Sequence, residues 1–500
     1  MGESTVRRRR SALATLAGSS ATTVVAGLQS LVLLPLYLDV LGPRLYGAWL
    51  ATGEVLVWML ALDFGIPNLL IQRTGASLAA GDKKSIGAHF SASALVLTAV
   101  AAVLCAVAWF AAPLVSGLFG VGDSGLAGAL RLGAIAVSIS IVANALVGLS
   151  RGLQDTSLVQ GFVFVGTVLG FGVTAWMMMA GFGLESIAYG LLARAAATMA
   201  GGLVFLWVRV DRAILGAVRP TSAAFQDIGR HCPSLFAAGL SYALMNNSMV
   251  TLAALMFRPE TAAVVGITRK AADLARGVLD MIGHASYGGF AHLFAERDAP
   301  KSARVYRELV ATYFVAAVAL LSAYVAVNST FIANWVGSEM FGGFALTAAL
   351  AVATALGGWS YLQASLLRSI GLHRDSSRVL LVECGSRLGL MVVLAYAIGP
   401  IGLALATCVT AIFAGVWASR RVWTEIGAQE GSSRAIWMWR VAPFVVGSAF
   451  GCWGALGGWT HVVVIGLAVA LAAVVSLLHT DPALSAIRSL FSNRFQRGAV

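Results

Sequence analysis

Apolar stretches of about 20 residues, each long enough to cross a bilayer, recur along the whole 500-residue chain and are broken only by short polar segments. Hydrocarbon offers no partner to a backbone N–H or C=O, so each stretch must satisfy its own hydrogen bonds as a helix. The chain is 59% hydrophobic and 11% charged, against roughly a quarter charged in soluble proteins, and so few charges cannot cover a water-facing surface. The alternating strands of a membrane β-barrel are missing. The sequence therefore predicts an all-α integral membrane protein.

The expected spans are 12–38, 45–70, 87–112, 126–149, 157–180, 184–208, 234–257, 262–290, 308–334, 341–367, 377–398, 400–419, 437–457 and 461–479. With both termini in the cytoplasm, most of the 34 Lys and Arg fall in cytoplasmic segments, and only Arg44 and Arg258 fall in outer loops. That asymmetry sets the orientation and requires an even number of crossings. The domain reading is an N-lobe at 1–208, a cytoplasmic linker at 209–233, a C-lobe at 234–422, an extra helix pair at 423–480 and an amphipathic tail at 481–500. In the tail Leu484, Ile487, Leu490, Phe491 and Phe495 share one helical face, which suits the inner leaflet. Arg7 to Arg10 before the first span read as the flank of a retained helix. Trp207, Trp335, Trp423, Trp437, Trp439 and Trp459 lie near expected helix ends, as an interfacial belt would.

The net charge of +12 sits in short loops, which fits anionic lipid headgroups rather than nucleic acid. Cys105, Cys232, Cys384, Cys408 and Cys452 are scattered without CxxC spacing and read as packing residues, with no metal site and no cofactor. No nucleotide-binding Gly-rich loop ends in Lys-Ser or Lys-Thr, so ATP hydrolysis is not expected.

The halves echo one another at a shift of about 219 residues, the arrangement of transporters built from parallel repeats. Ser150-Arg-Gly-Leu-Gln-Asp155 resembles Arg368-Ser-Ile-Gly-Leu-His-Arg-Asp375, Gly183-Leu184 matches Gly402-Leu403, and Gly47 matches Gly266. Pro43 and Asp82 match Pro259 and Asp298 with a small slip. The expected architecture is two pseudo-symmetric six-helix lobes and a C-terminal pair, about fourteen helices in all.

Residues 28–85 carry a recognisable text: Leu34-Pro-Leu-Tyr-Leu-Asp-Val-Leu-Gly-Pro-Arg-Leu-Tyr-Gly-Ala-Trp49, then Leu62-Asp-Phe-Gly-Ile66, then Ala79-Ala-Gly-Asp82. It resembles the polysaccharide transporter branch of the MOP flippase superfamily, which includes O-antigen-type oligosaccharide flippases. That resemblance implies a MATE-like, V-shaped pair of lobes working by alternating access in the bacterial inner membrane. It implies a cargo of undecaprenyl-pyrophosphate-linked oligosaccharide for surface polysaccharide biosynthesis, with glycosyltransferases and a polymerase of the same pathway as partners.

A charge inside a span costs about 2.5–3.5 kcal/mol on insertion scales and needs a reason. The densest case is Arg269, Asp273, Arg276, Asp280 and His284, three or four residues apart on one helical stripe, with Lys270 beside it. The stripe reads either as a cationic wall for a pyrophosphate, its carboxylates holding the basic groups, or as an internal ladder of i, i+4 ion pairs. Arg131 and Arg194 have no acidic neighbour one turn away, so a ligand anion or another helix must meet them, and Arg131 can also snorkel to the outer interface. Glu54 and Asp63 are the carboxylates nearest to hand, for pairing or for ion coupling, with Asp63 equally suited to a structural role at its helix end. Glu383 and Arg387 read as a structural pair. Gln29, Asn246 and Asn247 could meet sugar hydroxyls, although helix–helix bonds are the commoner use. Pro35, Pro67 and Pro400 mark kinks or ends.

Three rivals remain. A multidrug or cation antiporter of the same fold would want acidic groups in its cleft, and the spans carry slightly more basic than acidic residues. A membrane glycan polymerase or glycosyltransferase would need a catalytic constellation in a sizeable outer loop, and every outer loop is short. A non-transporting scaffold would leave the buried charges without a purpose. The sequence reads as a transporter, not an enzyme.

Overall fold

The computed structural model describes residues 2–121 and 125–426. Among these residues there is no strand. The helices are α1 (Gly2–Ala61), α2 (Ile66–Ala79), α3 (Lys83–Leu118), α4 (Leu126–Gly152), α5 (Ser157–Met179), α6 (Glu185–Val208), the single turn α7 (Arg212–Leu215), α8 (Ser222–Met256), α9 (Pro259–Ala295), α10 (Ala299–Val336), α11 (Phe344–Ser369), α12 (His373–Ile398) and α13 (Ile401–Ile426). Nine helical segments among the described residues are long and apolar enough to cross a membrane, with α1 and α2 together supplying one, Val25–Ala79. Helices α8 and α9 are as long, at 35 and 37 residues, but more polar. The chain is a multi-pass membrane protein. The expected spans 437–457 and 461–479 and the amphipathic tail lie outside the described residues.

The second expected span, 45–70, is not one helix. Helix α1 stops at Ala61 and α2 begins at Ile66. Between them Phe64 and Gly65 both turn left-handed, at φ 56° and 67°. The Gly65 N–H donates to Asp63 Oδ1 at 2.8 Å, and Pro67 opens the new helix. The Leu-Asp-x-Gly text is therefore a capped helix break, which apolar run length cannot reveal. Upstream, Gly42 at φ 72° kinks α1 just before Pro43.

Two aspartates matched in the sequence, Asp82 and Asp298, play the same local part. Asp82 caps α3 by accepting the Ser85 N–H at 3.0 Å, and Asp298 caps α10 by accepting the Lys301 N–H at 3.0 Å. Both satisfy a backbone donor that the first helical turn leaves without a partner.

Packing divides the chain into two units, Met1–Gly266 and Ile267–Val500, so the boundary falls inside α9. The first unit is centred on buried Ile66, Leu70, Phe90, Leu97, Ile141, Leu149 and Phe205. Helix α8 packs on α1, where Thr251 donates both its N–H and its hydroxyl to Glu54 Oε2 at 2.9 Å. A Cβ at Gly47 would stand 1.8 Å from the Pro259 carbonyl oxygen, so only glycine fits that crossing. The segment after α6 and the start of α8 are pinned down by charge. Arg73 of α2 donates from Nε and Nη2 to the two oxygens of Asp227, each at 2.6 Å. His231 and His89 stand 3.2 and 3.7 Å from the same carboxylate, and Lys83 reaches Asp211 at 2.5 Å. Burial works against ionisation of Asp227, but the paired hydrogen bonds and charge of Arg73, with His231 and His89 adding to them, hold it below the usual carboxylate range.

In the second unit, Tyr324 and Asn328 of α10 donate to the Thr268 carbonyl at 2.9 and 3.1 Å. Tyr306 donates to Gln363 Oε1 at 2.7 Å. Glu383 and Arg387 form an ion pair whose side chains are 1% and 3% exposed, and Ser360 donates to the same carboxylate at 2.6 Å.

Candidate substrate-binding site

The residues singled out in the sequence fall into separate places, one set in each unit. In the second unit, α9 is continuous through the charged stripe. Its period carries Arg269, Asp273, Arg276 and Asp280 along one face, and the i, i+4 pairs form. Arg269 Nε donates to Asp273 Oδ2 at 3.0 Å, and Arg276 Nε to Asp280 Oδ1 at 3.2 Å. Arg276 also points at the Gly357 carbonyl of α11, 3.5 Å away. The adjoining Gly358 makes room for the Tyr313 hydroxyl, which donates to the Ala355 carbonyl at 2.8 Å. The two pairs differ in environment. Arg276 and Asp280 are 16% and 12% exposed, whereas Arg269 is 13% and Asp273 is 49% exposed. Further along α9, the His284 ring lies edge-on to Tyr361, 6.3 Å between centroids, and the Arg368 guanidinium stands 5.4 Å above the same tyrosine ring. Lys270 adds a third cation beside the two arginines, against two carboxylates.

In the first unit, Arg194 of α6 lines a cavity of about 670 Å³ between α1, α4, α5 and α6. Arg151, Gln160 and Asn144 line it too. Sequence reasoning assigned Arg151 to a loop and passed over the two amides. Helix α4 in fact runs through Arg151 to Gly152, and only packing reveals which faces of four helices share one space. Arg131 lies elsewhere: its Nε donates to the Trp109 carbonyl at 3.2 Å, and its guanidinium stands 5.2 Å above the Trp109 ring.

The carboxylates offered as partners for these arginines are engaged otherwise. Glu54 holds Thr251, and Asp63 caps Gly65. Neither pairs with Arg131 or Arg194. Asn246 and Asn247 donate back to the Tyr242 and Ala243 carbonyls of their own helix, each at 2.9 Å.

No family model and no curated protein matches the sequence. Solved structures do. An inward-facing multidrug resistance MATE family transporter of the MOP superfamily superposes with a TM-score of 0.68 at 18% identity, over 80% of this chain and 96% of that one. This is the MATE fold. An outward-facing multidrug resistance MATE family transporter gives 0.60 at 17% identity, over 84% and 97%. A MOP superfamily transporter from Pyrococcus furiosus Vc1 (DSM3638), whose binding pocket has reversed polarity suggesting a different function, gives 0.59 at 18% identity, over 85% and 96%. The MATE fold accounts for the helix order; at these identities it leaves the cargo to be argued from side chains.

Proposed function

We propose that the chain is a transporter of the bacterial inner membrane that moves an undecaprenyl-pyrophosphate-linked oligosaccharide from the cytoplasmic to the outer leaflet by alternating access. The observation that supports this reading is the α9 stripe. Asp273 is half exposed although it lies within a helix expected to cross the membrane. An ionised carboxylate facing lipid would be costly, so this end of the stripe borders polar space. Three cations against two carboxylates give the stripe itself a net positive charge, which suits a pyrophosphate better than a cationic drug. The aspartates orient the guanidinium forks that bind phosphate in pairs. The Pyrococcus transporter, whose reversed pocket polarity suggests a different function, supports the idea that this fold admits pockets of altered charge. The text at 34–82 supports the polysaccharide branch. The pathway's glycosyltransferases and polymerase would supply and consume the cargo.

The test is lipid-linked glycan distribution in cells whose only copy is wild type, Arg269→Ala or Arg276→Ala, with membrane protein levels matched by blot. Glycan trapped on the inner leaflet in both variants is the expected result. Normal export from both would remove the stripe from the mechanism. The multidrug reading fits the fold equally well and predicts something different: efflux of a cationic dye that is lost in Asp273→Asn.

A further inference from the structure

The cavity of the first unit has the features of a built site. Two guanidiniums line it, Arg151 and Arg194, and none of its described lining residues is acidic. Among the described residues neither guanidinium makes a hydrogen bond or an ion pair. Gln160 is only 5% exposed, lines the same space, and its amide has no hydrogen-bond partner among the described residues; the Asn144 amide has none either. Arg194, well inside its span, costs about 2.5–3.5 kcal/mol, a cost that leucine there would avoid. The polar groups therefore point to a ligand that is present part of the time.

The arrangement states what that ligand is. Arg151 is in the last turn of α4 and Gln160 in the first turn of α5, at one end of the cavity. Arg194 is deeper: the 14 residues from it to Val208 amount to about 20 Å of helix at 1.5 Å per residue. Trp49, Leu56, Leu60 and Leu191 supply an apolar wall. Two cations without a carboxylate call for more than one negative charge, the amides for hydroxyl or ester oxygens, and the wall for hydrocarbon. We propose that this cavity binds the phosphate group of a membrane amphiphile, with Arg194 as the deep anchor, Arg151 at the rim, and Gln160 and Asn144 hydrogen-bonding the head. The site belongs to the first unit and does not rest on the flippase reading. A polyprenyl pyrophosphate and an anionic bilayer phospholipid both carry this chemistry.

Native mass spectrometry of the full-length protein in neutral detergent separates them. Farnesyl pyrophosphate and phosphatidylglycerol serve as probes, with farnesol and diacylglycerol as uncharged controls. Binding of either charged probe but neither control is expected, and the probe that binds identifies the source. Arg194→Gln should weaken it about tenfold, the value of a hydrogen-bonded charge contact, while Arg304→Gln, at an exposed ion pair of α10, leaves it unchanged. Gln160→Leu should raise the thermal midpoint while weakening binding, because the amide has no structural partner to lose. Equal binding of the uncharged controls, or undiminished binding by Arg151→Gln/Arg194→Gln, overturns the site. Should that double variant fail to fold, Gln160→Leu decides alone: a lower midpoint with unchanged binding refutes the proposal. Sensitivity to Arg269→Gln without sensitivity to Arg194→Gln would move the anion to α9 and equally refute it.

Discussion

Arg387 shows what a single charge costs inside a lobe. Its side chain is 3% exposed and its partner Glu383 1%, so removing one leaves the other ionised and dry. Arg387→Ala should lower stability by about 3–5 kcal/mol, seen as a drop in thermal midpoint of the purified protein. Glu383→Gln/Arg387→Met should cost less than either single change, because replacing both partners abandons no charge. A double variant as unstable as the singles combined would contradict this account. The pair was legible in the sequence because i, i+4 spacing on a helix places such groups together. Arg194 was legible as a cation needing a partner, but its companions Arg151, Gln160 and Asn144 were not, since their meeting depends on how three helices pack.

Among the elements, the break at 62–65 carries the clearest lesson. Run length and hydropathy gave helix positions well: α4, α5 and α6 begin and end within three residues of the expected spans. Hydropathy does not register backbone handedness, so it joined α1 to α2. The signals were present in Asp63, Gly65 and Pro67, which cap, turn and restart a helix in that order. Gly65 has φ 67°, and a side chain there costs roughly 1–2 kcal/mol. Gly65→Ala should therefore destabilise by about that amount, whereas Gly75→Ala in α2, at a helical glycine with open space around it, should be neutral or stabilising. Equal effects in thermal melts would mean that the break carries no strain.

On the scale of the whole molecule, the Asp227 cluster ties the start of α8 to α2 and α3. The folded protein holds this carboxylate below its ordinary range. Its contribution is complete above the unfolded value of about pH 4 and is lost as pH falls through the depressed folded value. Asp227→Asn should lower the thermal midpoint at pH 7 and flatten its decline from pH 4 downward; a decline as steep as wild type would place the acid sensitivity elsewhere. The cavity arginines impose a different rule. A guanidinium keeps its charge at any pH a cell reaches, so Arg151 and Arg194 cannot let go of an anion by losing a proton. A carrier that grips its load with histidine or lysine can drop it by titration. One that grips with arginine must prise the load off, by moving a helix or by admitting a competing anion, and its turnover should follow helix motion and salt rather than pH.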